Sequence, residues 1–225
     1  MNTNQDNAKS PQDEMRSKLL IKLIPTVRKK GFQSLRMDEI AKYMDVSKAT
    51  MYKYFASKEE IIEGVVNSFV QYINELTVQS LDTVQSFDSK FRQLFEQAIL
   101  LAAYISDTFL DELKVMYPDL YNSLKEAMKR REDQISSFYQ EGKEKGIFND
   151  INERLIFLQE DVLVRAILDM KFLMLHHMTL HQVLLDFYTL IKLQLFKAEK
   201  LEVTNDSDII QKIDYMAQKI TRDLL

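Results

Sequence analysis

Between residues 46 and 60 the chain reads VSKATMYKYFASKEE. Lysines (Lys48, Lys53, Lys58), hydroxyls (Ser47, Thr50, Ser57) and tyrosines (Tyr52, Tyr54) crowd one short stretch. Such groups suit an anionic polymer, because ammonium and hydroxyl groups hold phosphate oxygens and read base edges. Met51 and Phe55 stand four apart, the spacing of one inward helical face. Burying them turns Lys48, Ala49, Tyr52 and Lys53 outward. Small Ala49 lets the backbone approach closely. Lys58, at the start of another helix, can join the amides there in holding a phosphate. Elsewhere the chemistry is sparse. His177 and His181 form an i, i+4 pair beside His176, but no Cys or carboxylate sits at ligand spacing, so no metal is expected. There is no phosphate loop and no nucleophile elbow. The acidic residues read as solvated faces, and neither catalysis nor a cofactor is expected.

The elements that must position this stretch follow from spacing. Ser10-Pro11 starts a helix that Gly31 ends, with Arg28, Lys29 and Lys30 in its last turn. Pro25 inside it is expected to kink or split it. Met37, Ile40, Ala41 and Met44 give one apolar face over two turns. Asp45 stands where the backbone turns left-handed, a conformation Asp tolerates. Ser47 caps a second short helix running to about Phe55. Two such helices with a tight turn make a helix-turn-helix. Ser57 to Glu60 forms a capping box that opens a longer helix.

Length and composition set the frame. The chain has 225 residues and is 46% hydrophobic, with only 4 Gly, 3 Pro and no Cys. Few turn formers argue for long helices and against a sheet protein. The polar N-terminus lacks a signal core, and the longest uncharged apolar run, 172–185, is too short to cross a bilayer and carries three His. A soluble cytoplasmic protein without membrane contact is expected. Net charge is −4 overall. Residues 1–60 hold 12 Lys/Arg against 8 Asp/Glu, while the remainder holds 18 against 26. A basic head on an acidic body suggests that only the head meets nucleic acid.

The stretch GFQSLRMDEIAKYMDVSKATMYKYFASKEEII resembles the DNA-binding head of the tetracycline-repressor (TetR) family. Gly31-Phe32, Ile40-Ala41, Val46-Ser47, Thr50-Met51-Tyr52, Tyr54-Phe55 and Lys58-Glu59 before Ile61-Ile62 carry the likeness, which covers about residues 14–75. It departs at Pro25, at Arg36 where a Ser or Thr cap is usual, at Asp38, often cationic, and at Asp45, usually Gly. The resemblance implies an all-α homodimer that represses transcription from a near-palindromic double-stranded operator. It also implies release when a small molecule binds the body. Lys48, Ala49, Tyr52 and Lys53 would approach bases; Thr50, Tyr52, Tyr54 and Lys58 would hold phosphates. The alternative is a helical enzyme or small-molecule-binding module whose helix-turn-helix is only structural. The cationic exposed face argues against it.

The implied organisation is a disordered tail (1–10), a DNA-binding domain (11–56), a connecting helix (57–78) and a ligand-binding and dimerisation domain (79–225). In the last, helices are expected near 91–105, 118–145, 152–175, 179–199 and 208–224. A small echo, VQSLD and VQSFD, falls within 78–89. Eleven Met and many aromatics suggest an adaptable apolar interior. Phe95, Tyr104, Phe109, Met116, Phe138 and Met170 are candidate contacts for an apolar or amphipathic effector. The 152–199 helices carry more Leu, Ile and Phe than one inward stripe needs. Leu168, Leu175, Leu184 and Ile191 are candidate dimer contacts.

Overall fold

The computed structural model describes residues 10–76 and 81–224. Residues 1–9 of the expected tail and the start of the 78–89 echo lie outside them. Among the described residues the chain is helical, and its one β-bridge joins Phe148 and Phe196. No described helix is long and apolar enough to cross a membrane. The order is α1 (Pro11–Lys30), α2 (Met37–Tyr43), α3 (Lys48–Tyr52), α4 (Lys58–Asn74), α5 (Val84–Tyr104), α6 (Asp107–Met116), α7 (Pro118–Glu144), α8 (Glu153–Ile167), α9 (Met170–Leu175), α10 (Leu180–Leu195), α11 (Ala198–Leu201) and α12 (Ser207–Leu224).

Packing divides the chain into two compact units, one of residues up to Gln71 with Asp107–Leu124, the other of Tyr72–Ser106 with Lys125–Leu225. The expected organisation kept head and body sequential. Here α6 and the start of α7 group with the head instead. The reason is apolar. Phe109 of α6 packs on Phe32 and Phe69, at 5.8 and 6.0 Å between ring centroids, and Tyr117 stacks on Phe32 at 5.8 Å. The chain therefore passes between the units three times, not once through the helix that starts at Ser57.

In the first unit, Ser10 caps α1 by accepting the Asp13 amide. Pro25 does not split α1, which runs unbroken. The carbonyl that loses its partner belongs to Ile21, on the exposed side of the helix, where water can replace the lost bond. Leu19, Leu23, Val27, Ile40, Met44, Met51, Phe55, Ile61 and Val65 form the core.

The second unit is held by an aromatic chain through α5, α7, α10 and the 146–148 turn. Phe148 meets Phe87, Phe138 and Phe196 at 5.3, 5.1 and 4.8 Å, and Tyr188 meets Phe91 and Phe95 at 5.4 and 5.2 Å. The Phe148 ring lies so close over Gly142 that a Cβ there would sit 2.0 Å from it, which explains the glycine. Lys192, 3% exposed, reaches Asp88 at 2.9 Å and Asp206 at 2.5 Å, tying α10 and the segment before α12 to α5. The expected 152–175 helix is two helices, because Asp169 caps a new start by accepting the Lys171 amide. Residues 107–116 form a helix that the spacing did not single out.

Candidate nucleic-acid interface

The recognition segment is built from its turn. Ala41, 2% exposed, lets α2 and α3 approach. The Val46 amide closes the end of α2 on the Ala41 carbonyl at 3.0 Å. Asp45 takes φ 59°, the left-handed value its position requires, and its carboxylate meets Lys22 at 3.1 Å. Arg36 cannot cap α2 as Ser would. Glu39 compensates by accepting the Arg36 amide at 2.9 Å, half of a capping box. α3 is only five residues long and ends at Tyr52, short of the expected Phe55.

Met51 and Phe55 are fully buried, and Lys48, Ala49, Tyr52 and Lys53 are exposed, Tyr52 by 46%. Ser47 accepts the Thr50 amide at 3.0 Å, and the two hydroxyls lie 2.8 Å apart. One hydroxyl proton is consumed within that pair, which leaves one for a phosphate oxygen. Tyr54 is half-buried, and its carbonyl accepts from Arg16, whose guanidinium lies 4.6 Å from the Phe55 ring centre and 2.8 Å from Glu60. The Ala56 amide and then Arg16 hold the Glu60 carboxyl below its usual range. Arg16 and Glu60 thus brace the end of the recognition segment from α1 and α4. Sequence spacing missed them because their partners are far along the chain.

Lys58 has a partner within the chain that spacing did not show. Its ammonium donates to the Gln33 carbonyl at 2.8 Å, and burial lowers its pKa against the pull of Glu112. The Glu112 carboxylate of α6 accepts the Phe32 and Gln33 amides at 2.5 and 2.8 Å. Gly31, at φ 71°, leaves room for that carboxylate; a Cβ would lie 2.2 Å from it. Lys58 and Glu112 together clasp the α1–α2 turn.

Residues 27–65 match the family model described as bacterial regulatory proteins, tetR family. That match spans the helix-turn-helix and its flanks, from the end of α1 into α4. The chain is 24% identical over 166 residues to the biofilm operon icaADBC HTH-type negative transcriptional regulator IcaR of Staphylococcus aureus strain Newman, covering 70% of this chain and 87% of that one. Its fold resembles that of a putative transcriptional regulator from Saccharomonospora viridis in complex with choline (TM-score 0.56, 16% identity, 82% and 99% of the two chains). It also resembles the ketosteroid transcriptional regulator KstR2 of Mycobacterium tuberculosis (TM-score 0.56, 16% identity, 86% and 97%).

The rest of the chain places the other candidates less simply. Phe95 packs on Phe187 and Tyr188, Phe138 on Phe87 and Phe148, and the Tyr104 hydroxyl donates to Asp223 at 2.8 Å. Met170 is half-buried. Phe109 and Met116 belong to the first unit, and Met116 is 37% exposed. The six are divided between the two units. Of the dimer candidates, Leu175 is 74% exposed, while Leu168, Leu184 and Ile191 are buried within the unit itself. Outward apolar residues stand elsewhere: Leu155, Leu158 and Val162 on α8, Met174 on α9, Leu190 and Leu193 on α10. His181 meets Asp214 at 3.3 Å, and His177, at φ 53°, turns the chain after α9.

Proposed function

We propose that this transcriptional regulator is a homodimeric repressor that holds a near-palindromic operator through α3 and releases it when a small molecule binds its second unit. The observation that carries the DNA reading is the outward face of Lys48, Ala49, Tyr52 and Lys53 over buried Met51 and Phe55. A merely structural helix-turn-helix has no reason to keep that face cationic. Lys48 and Lys53 approach base edges with Ala49 and Tyr52; Thr50, Tyr52 and Tyr54 hold phosphates, with Ser47 fixing the helix start. Lys58 supports the turn behind them. The name of the Staphylococcus aureus relative, a negative regulator, favours repression.

The dimer reading rests on α8, α9 and α10. Leu155, Leu158 and Val162 form an i, i+3, i+7 stripe 56–61% exposed, and α10 packs against α8 and adds Leu190 and Leu193. A monomer rarely leaves such a surface open, and a second copy of the same stripe covers it isologously. One α3 reads only a few base pairs, so twofold pairing supplies the specificity. The choline complex of a structural neighbour is consistent with a small-molecule effector in the body.

The test is a gel shift on fragments of the source genome across a salt series. A steep loss of affinity with salt and one preferred near-palindrome are expected. Equal affinity for all fragments would remove the operator from this reading.

A further inference from the structure

Arg131 is a buried charged side chain of the second unit with no carboxylate in contact among the described residues. It lies on α7 and is 7% exposed. Its Nε donates to Gln97 Oε1 at 2.6 Å and its Nη2 to the Leu94 carbonyl at 3.4 Å, a long contact. Among the described residues no carboxylate lies within 4.0 Å of the guanidinium. Nη1 has no protein acceptor among them. Glu160 of α8 accepts the Tyr139 hydroxyl at 2.9 Å, and both Glu160 and Asp161 act on Arg131 across longer gaps. Burial pushes the Glu160 carboxyl up to about 7, so near neutral pH much of it carries no charge to offset Arg131. A buried cation with no carboxylate in contact is unfavourable, and an apolar side chain of similar volume would cost less.

Gln97 connects this arginine to another helix. While its oxygen accepts from Arg131, its Nε2 donates to the Tyr72 carbonyl at 2.8 Å and the Ile73 carbonyl at 3.3 Å. Those carbonyls belong to the last turn of α4, where a helix leaves acceptors unsatisfied. The first turn of the same α4 carries Lys58 and Glu60, which brace the recognition segment.

We propose that Arg131 recognises the anionic end of the effector, a small molecule carrying one carboxylate on an apolar body, and passes its occupancy to α4 through Gln97. This rests on the sensor reading above. A carboxylate takes a guanidinium edge with two parallel hydrogen bonds, and the Nη1–Nη2 edge has one nitrogen without an acceptor among the described residues and one weakly held. Turning toward the ligand withdraws the guanidinium from Gln97, whose amide then loosens its hold on the last turn of α4. A single cation beside a readily protonated acid fits a monoanion and not a dianionic phosphate.

The experiment compares wild type, Arg131→Met, Arg131→Lys and Gln97→Met by calorimetry and thermal shift. The probes are hexanoate, decanoate and benzoate, each against its primary amide. At least one carboxylate is expected to bind wild type where its amide does not. Both Arg131 variants are expected to lose roughly tenfold or more in that affinity, since lysine cannot replace a bidentate fork. Arg131→Met is expected to keep its melting temperature without ligand. If it fails to fold, Arg131→Lys decides. Gln97→Met should bind the carboxylate yet show no change in operator affinity. No carboxylate binding to wild type, or equal binding by the Arg131 variants, overturns the proposal. A carboxylate held by Arg131 without effect on wild-type operator affinity leaves the site standing and removes the sensor. A neutral amide that releases operator from Arg131→Met does the reverse.

Discussion

Lys48 and Lys58 both open helices, yet they meet different surroundings. Lys48 is exposed on α3, whereas Lys58 is half-buried and one of its three ammonium donors is committed to the Gln33 carbonyl. Lys48→Ala is therefore expected to lower the salt slope of operator binding by about two per dimer, since each subunit withdraws one cation from the groove beside the phosphates. Lys58→Ala should leave that slope unchanged and cost about 1 kcal/mol of stability through the lost hydrogen bond. Affinities across a salt series and melting curves separate the two. Spacing placed both lysines at helix starts; it could not show that α6, some fifty residues on, brings Glu112 to the same turn. Glu160 gives a second residue-scale expectation. Its folded carboxyl keeps a proton up to about pH 7, against 4.5 as its ordinary value. Between those values the folded chain binds more protons than the unfolded, so this group's contribution to stability falls as pH rises through the window. Tyr139 and Arg131 face it, and both favour its charged form less than burial opposes it. Glu160→Gln keeps an acceptor for Tyr139 and should raise the melting temperature at about pH 8 while changing little at about pH 4.5. Equal melting at both would assign the ionisation elsewhere.

At the scale of elements, the turn between α2 and α3 was legible because Asp45 and Ser47 have local reasons for their places. Replacing Asp45 tests this. Asp45→Ala should destabilise by about 1 kcal/mol, since alanine has no polar group to ease a left-handed backbone, and Asp45→Gly should be neutral or better. The exposed pair with Lys22 contributes too little to reverse that order. An Ala variant as stable as wild type in thermal melts would mean that the turn tolerates another conformation. The break at Leu168 was less legible, although Asp169 carried the signal of a new cap. α6 was missed because it is ten residues long and lies between two longer helices. Its inward pair, Phe109 and Leu113, reads as an isolated i, i+4 match until Phe32 is seen against it.

At the scale of the whole molecule, apolar periodicity marks faces without saying which cover a core and which await a partner. That is why Leu168, Leu184 and Ile191 were grouped with exposed Leu175. The structure separates the two kinds, and mutants should too. Charges placed together at Leu158 and Leu193 are expected to yield folded monomers by light scattering, with operator binding reduced because two half-sites are no longer linked. A charge at Leu184 should instead unfold the second unit, as burying an unpaired charge costs several kcal/mol. A Leu158/Leu193 double mutant that remains dimeric would move the interface off α8 and α10.

The interleaving of the two units bears on how the chain comes off the ribosome. The first 76 residues hold the complete helix-turn-helix, yet Phe32 lacks Phe109 and the α1–α2 turn lacks Glu112 until α6 has been made. α5 emerges before α6 but waits longer still, since Asp88 meets Lys192 and Asp206 only in the last part of the chain. The growing polypeptide must therefore hold α5 uncommitted while the head waits for α6 and closes on it. A nascent chain stalled near residue 76 should be cut readily by protease within 31–36, and one stalled beyond α6 should resist.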